Sequence, residues 1–121
     1  MIALAHRARP APDLTFLVSD AMATVGGPDA FDLYGQTITV KDGKLVNADG
    51  NLAGAHVSQA MGVKRLVRHV GIDLDAALRM AITTPAAYIN RPDLANLVGR
   101  DVRDAIVLND DLDASALSRI V

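Results

Sequence analysis

Leu14-Thr15-Phe16-Leu17-Val18 is a short, nearly unbroken apolar run that follows turn residues and closes on Ser19 and Asp20. An apolar run without alternation is the pattern of a parallel strand covered on both faces, because such a strand has no polar side to show to water. The fold class expected is therefore α/β. Residues 1 to 9 read as the tail of a helix, and Pro10 and Pro12 rule out its continuation toward the strand.

Beyond the strand the pattern changes. From Phe31 to Leu52 the chain reads as short β segments: Gln36 to Val40 places Ile38 and Val40 on one face, and Lys41-Asp42-Gly43-Lys44 supplies a tight turn into Leu45 and Val46. The Asp-Gly pair suits the positive φ angles of such a turn, and Ala48-Asp49-Gly50-Asn51 repeats the signal. Apolar residues at 57, 60, 61, 63, 66, 67 and 70 then follow the helical period, with Lys64, Arg65 and Arg68 on the outer face and Gly71 as the C-terminal cap. A second helix is expected from Asp73, burying Leu74, Ala77, Leu78 and Ala81. Thr84-Pro85 is expected to start a third, with Thr84 as its cap. Ala105 to Leu108 reads as a buried strand and Leu117 to Val121 as another.

Composition narrows the function classes. Half the residues are apolar and 21% are charged, the balance of a soluble globular protein. The net charge of -2, with Lys and Arg scattered along the chain, offers no footprint for nucleic acid. The chain has no Cys, which excludes disulfides, thiolate metal sites and a thiol nucleophile and fits a reducing compartment, so a cytoplasmic location is expected. No apolar stretch approaches the ~18 residues of a membrane span, and Ile2 to Ala5 is too short for a signal-peptide core.

Asp20 is the first candidate for chemistry, since the C-terminal ends of parallel strands are where α/β enzymes place catalytic groups. An aspartate after a strand more often caps a helix or ends a turn, and on the residues alone that reading stands ahead. His6, His56 and His69 lack the spacing that would set two imidazoles on one ion, and each reads as a surface or loop histidine. Gly26-Gly27-Pro28 reads as a turn rather than a phosphate cradle.

Four ordered segments carry a resemblance. Leu17-Val18-Ser19-Asp20-Ala21-Met22 is similar to the L-V-[ST]-D-A-M segment that ends the eighth barrel strand of N-acetylglucosamine-6-phosphate deacetylases of the amidohydrolase superfamily. Gly43-Lys44-Leu45 with Asp49-Gly50-Asn51-Leu52-Ala53-Gly54 resembles D-G-x-L…D-G-T-L-[AS]-G-S. Ala77-Leu78-Arg79-Met80-Ala81 with Pro85-Ala86 resembles A-L-R-M-A-(x)3-P-A, and Asp104 to Leu108 resembles A-D-L-V-V-L. Ala55 stands where the family has Ser, Gln59 where it has Met, Ala95 where it has Gly, and Arg103 where it has Ala.

The resemblance implies a C-terminal fragment of a metal-dependent hydrolase (β/α)8 barrel with part of its small β-sandwich domain. At 121 residues the chain is well short of such a barrel, which takes ~250. Residues 1–30 would be the end of the barrel with its last strand, 31–52 a β insertion, 53–92 barrel-type helices and 93–121 a C-terminal β segment. By resemblance the catalytic aspartate falls on Asp20, and Leu52, Ala53 and Gly54 contact the substrate sugar. The implied substrate is N-acetylglucosamine 6-phosphate, and the implied cofactor is a divalent ion such as zinc, whose ligands lie upstream of this segment, so none is assigned here. Implied partners are a chain carrying the N-terminal part of the barrel and further copies of this one, and the isolated chain is expected to be inactive. Two other readings stay open: a non-catalytic remnant that self-associates, and a related amidohydrolase acting on another N-acetyl amino sugar.

Overall fold

A computed structural model describes residues 1–11 and 15–117. The chain forms two compact units, one over Ser19–Gln59 and the other from Met1–Val18 with Ala60–Val121.

The unit over Ser19–Gln59 is built on a three-stranded antiparallel meander, β1 (Ala30–Leu33), β2 (Gln36–Lys41) and β3 (Lys44–Val46). The turn expected at Asp42-Gly43 is present, with φ of 51° and 71°, and Tyr34-Gly35 makes a matching one at 51° and 78°. Positive φ at both central residues defines the type I′ turn, whose twist matches that of the strands it joins. Register follows from the turns: Phe31 faces Ile38 and Val40 faces Leu45, which gathers these apolar side chains on one face. Leu45 is fully buried and Ile38 is buried. On the other face Thr37 Oγ1 donates to the Asp32 carboxylate at 2.7 Å.

In the second unit, α1 (Ile2–Ala8) is the helix expected over residues 1 to 9. The strand expected over Leu14 to Val18 is not formed. Leu14 lies outside the described residues, and Thr15 to Val18 joins no ladder. Exposure alternates along this segment; Leu17 turns inward, its N–H donating to the Met80 carbonyl at 2.8 Å, while Phe16 places its ring 5.4 Å from that of Tyr88. A parallel strand needs a neighbour on its edge, and the described residues supply none. Every ladder among the described residues is antiparallel.

Helix α2 (Gln59–Arg65) continues into a π turn over Leu66–Val70 and ends at Gly71, whose φ of 77° makes it the expected left-handed cap. Asp73 caps α3 (Leu74–Leu78) as expected, its side chain accepting from the N–H groups of Asp75 and Ala76. Thr84 does not start a separate helix. A π turn over Arg79–Thr83 joins α3 to α4 (Thr84–Tyr88) without a break, and Thr84 is helical with its N–H bonded to the Arg79 carbonyl. The wider π register just ahead of Pro85 accommodates a ring that would strike the carbonyl of a regular turn.

The core of this unit is Val63, Leu66, Ile72, Ala77 and Met80, with Leu17, Val67, Val70 and Leu108 packed around it. Of the residues expected inside, Ala77 is buried, Leu78 and Ala81 are half-buried and Leu74 is exposed; Met80 is buried as well. The expected strand near residue 105 is β4 (Ile106–Leu108), paired with β5 (Ala114–Ala116). It is not fully buried: Ile106 is exposed, because one short partner leaves a face open. Of the strand expected over Leu117 to Val121, Leu117 lies in a helical turn and the rest lies outside the described residues.

Candidate functional site

Asp20 sits at the start of an irregular turn, with its φ at 52°. This is the left-handed region, costly for most L residues and tolerated best by Asn and Asp, whose short polar side chains suit it. The Ala21 N–H, next in the chain, donates to Ser19 Oγ at 3.3 Å. The turn then closes through Val25 N–H to the Met22 carbonyl at 3.0 Å and Gly27 N–H to the Thr24 carbonyl at 3.3 Å. Asp20 does not cap a helix: no helix begins between it and β1. Its side chain is exposed, and its carboxylate has no hydrogen-bond or ion-pair partner among the described residues.

The loop carrying Leu52, Ala53 and Gly54 is shaped by Asn47, whose side-chain oxygen accepts from the N–H groups of Asp49 at 3.1 Å and Asn51 at 2.8 Å. That reverses the chain so that Leu52 bridges back to Val46 and the Ala53 N–H donates to the Leu45 carbonyl at 2.9 Å. Leu52 points to solvent, while Ala53 and Gly54 are half-buried. Gly54 has a φ of 107°, and a Cβ there would fall 2.7 Å from Met22 Cγ. Glycine is therefore required twice over, by the backbone angle and by the approach of Met22.

The two segments meet. Ala21 and Ala55 form a parallel bridge, in which the Ala55 N–H donates to the Asp20 carbonyl and the Met22 N–H to the Ala55 carbonyl, both at 3.2 Å. One step further on, His56 Nδ1 lies 2.9 Å from Thr24 Oγ1. Asp20 and the Leu52-Ala53-Gly54 loop, separated in sequence by the whole meander, are thus neighbours through their backbones. The Thr24–His56 contact had no sequence signal, since it links side chains 32 residues apart.

The three histidines do not converge, and among the described residues no three His or Asp side chains gather to hold a metal ion. The chain contains no Glu at all. His6 in α1 has its pKa lowered from the ordinary imidazole value by burial, with Arg9 and Arg7 adding repulsion. No helix among the described residues is long and apolar enough to cross a membrane.

No protein-family model matches the sequence. Its relatives are deacetylases of phosphorylated N-acetyl amino sugars. Over 84 residues it is 33% identical to the N-acetylglucosamine-6-phosphate deacetylase of Haemophilus influenzae, covering 67% of this chain and 22% of that protein. Over 96 residues it is 31% identical to the N-acetylgalactosamine-6-phosphate deacetylase of a Shewanella species, covering 78% of this chain and 24% of the relative. The crystal structure of the N-acetylglucosamine-6-phosphate deacetylase from Pasteurella multocida superimposes with a TM-score of 0.78 at 32% identity, over 93% of this chain and 30% of that one. The resemblance read from the sequence is borne out, and it is a resemblance to part of these enzymes: the chain spans about a quarter of the length of the curated relatives it matches.

Proposed function

We propose that this chain supplies the aspartate-bearing part of an N-acetylglucosamine-6-phosphate deacetylase, which hydrolyses the acetamide to glucosamine 6-phosphate and acetate. The observation that carries the reading is the pairing of the Asp20 turn with the Leu52-Ala53-Gly54 loop through Ala55. A proton-transfer group and a sugar-contacting loop have to be neighbours for one substrate to reach both, and this structure joins the two segments that sequence resemblance singled out.

Asp20 has the chemistry for two successive steps. Its carboxylate, exposed and without a partner among the described residues, takes the proton of the attacking water as a general base. It then returns that proton to the departing sugar amine as a general acid, the amine being too basic to leave unprotonated. The backbone of Leu52, Ala53 and Gly54 holds the sugar. The described residues do not gather into a metal site, and the resemblance implies that any divalent ion would be held by ligands upstream of this segment. The same holds for the residues that close the barrel, in which residues up to Val18 would supply the last strand.

The test is complementation. The chain is co-expressed with the remaining part of a relative such as the Haemophilus influenzae enzyme, and acetate release from N-acetylglucosamine 6-phosphate is followed. Asp20→Asn, which keeps the size and tolerates the same backbone angle, is expected to lower turnover by about a hundredfold or more. Retention of turnover in that variant would refute the assignment. The match to an N-acetylgalactosamine-6-phosphate deacetylase makes the epimeric sugar phosphate a second substrate to compare in the same assay.

A further inference from the structure

We propose that Thr24 and His56 form a positioning pair that fixes the Asp20 turn against the Leu52-Ala53-Gly54 loop. The inference rests on the reading of Asp20 as the proton-transfer group and adds the residues that hold it. Neither Thr24 nor His56 is taken to touch substrate.

Among the described residues, three hydrogen-bonding contacts join the two segments. Two are the backbone bonds of Ala55 to Asp20 and Met22, each at 3.2 Å, long for N–H···O. The third is the Thr24–His56 contact at 2.9 Å, the shortest of the set. Thr24 is also the one buried polar side chain among the described residues, 1% exposed. A hydroxyl in that position has no water to turn to, so its partner matters more than at a surface. His56 provides that partner in either neutral tautomer, since its Nδ1 can accept from the hydroxyl or donate to it.

The arrangement acts on Asp20 through the turn. Asp20 occupies the left-handed region at φ 52°, a conformation that persists when surrounding structure over-determines it. Upstream anchoring comes from the Asp20 carbonyl on Ala55, while Thr24 anchors the far side of the same turn and the Met22 side chain packs over Gly54 between them. Releasing Thr24 leaves the two long backbone bonds and the packing of Met22 over Gly54. The turn then samples other φ values at Asp20, and the carboxylate leaves the place from which it must reach a water and an amine in succession. Proton transfer is sensitive to such displacement, whereas sugar contacts made by the neighbouring loop are not.

The experiment uses the full chain, isotopically labelled, with amide exchange read residue by residue. Thr24→Val and His56→Leu are each expected to speed exchange at the Met22 and Ala55 amides by about tenfold, and the double variant is expected to do no more than either single one. The Val40 amide, bonded to the Asp29 carbonyl at 2.8 Å in the same unit, should stay at its parental rate. Thr24→Ser, which keeps the hydroxyl, should restore protection. In the complemented enzyme the same variants should lower kcat by about tenfold with KM within about twofold, and Thr24→Ser should recover kcat. Unchanged exchange at Met22 and Ala55, equal acceleration at Val40, or effects that add in the double variant would overturn the proposal. Asp20→Asn measured alongside separates the two questions: if it remains active, the functional reading fails while the exchange data still judge the pair.

Discussion

Gly54→Ala probes the contact on which the candidate site is built. A Cβ at this position would stand 2.7 Å from Met22 Cγ and 3.3 Å from its Sδ, on a backbone with φ of 107°. The backbone term for an L residue so far from its allowed regions is about 1–3 kcal/mol. Overpacking adds about 1–3 kcal/mol, toward the lower end because Met22 is unbranched and can swing aside. The expected loss is about 2–4 kcal/mol of local stability in the Ser19–Gln59 unit. Gly50→Ala is the control: its φ is 80° but no atom lies within 4 Å of the added Cβ, so only a backbone cost of about 1–2 kcal/mol applies. The assay is urea unfolding combined with amide exchange at Ala53, whose N–H bonds to the Leu45 carbonyl. Adding Met22→Ala to Gly54→Ala should recover the overpacking part, giving a coupling of about 1 kcal/mol or more. If Gly54→Ala is no more damaging than Gly50→Ala, or if the pair shows no coupling, the close-approach argument is wrong.

Three further outcomes are expected. Leu45→Ala should cost about 2–5 kcal/mol, because Leu45, on the edge strand β3, is fully buried; a loss under about 1 kcal/mol in urea unfolding would show that the meander adds little to stability. Gly62→Ala in α2 should stay within about 1 kcal/mol of the parent, since the added Cβ meets the tip of Leu17 at 2.8 Å while alanine favours helix; a loss beyond about 2 kcal/mol would mean that Leu17 cannot move aside. The Asp93 and Asp101 carboxylates are held below their ordinary value of 3.8 by hydrogen bonds from Arg91 and Arg103 respectively. Folded protein therefore binds these protons less readily than the unfolded chain, and the stabilisation is in place above that value and lost as pH falls from it through the lowered folded values. Both groups are exposed, so the effect is small and salt-sensitive; an acid unfolding limb that Asp93→Asn and Asp101→Asn leave unaltered would refute it.

The sequence was legible where a local conformation has one chemical solution. Asp42-Gly43 announced its turn because both positions need positive φ, Gly71 announced a helix end for the same reason, and Asp73 offered an oxygen to free N–H groups. Tyr34-Gly35 makes an equivalent turn unannounced, since tyrosine seldom adopts that angle. Leu14 to Val18 had a strand's composition, but a strand is defined by its neighbours and composition does not supply them. Thr84-Pro85 carried the usual signals of a helix start, and they were overridden by a π register two residues before the proline that no sequence pattern announces. Among the candidate residues, Asp20 and Gly54 were singled out through resemblance to known deacetylases, and their adjacency through Ala55 and the Thr24–His56 link became visible only once distant segments were brought together.

The meander and the Ala21–Ala55 bridge differ in how they can be assembled. Its two hairpins close over tight turns and form on a timescale of about 1–10 μs. The parallel bridge encloses the entire meander, so its ends must find each other across a long loop and gain little until that loop has shortened itself by folding. The strained aspartate therefore assumes its geometry at the end of the sequence of events, on a scaffold already built.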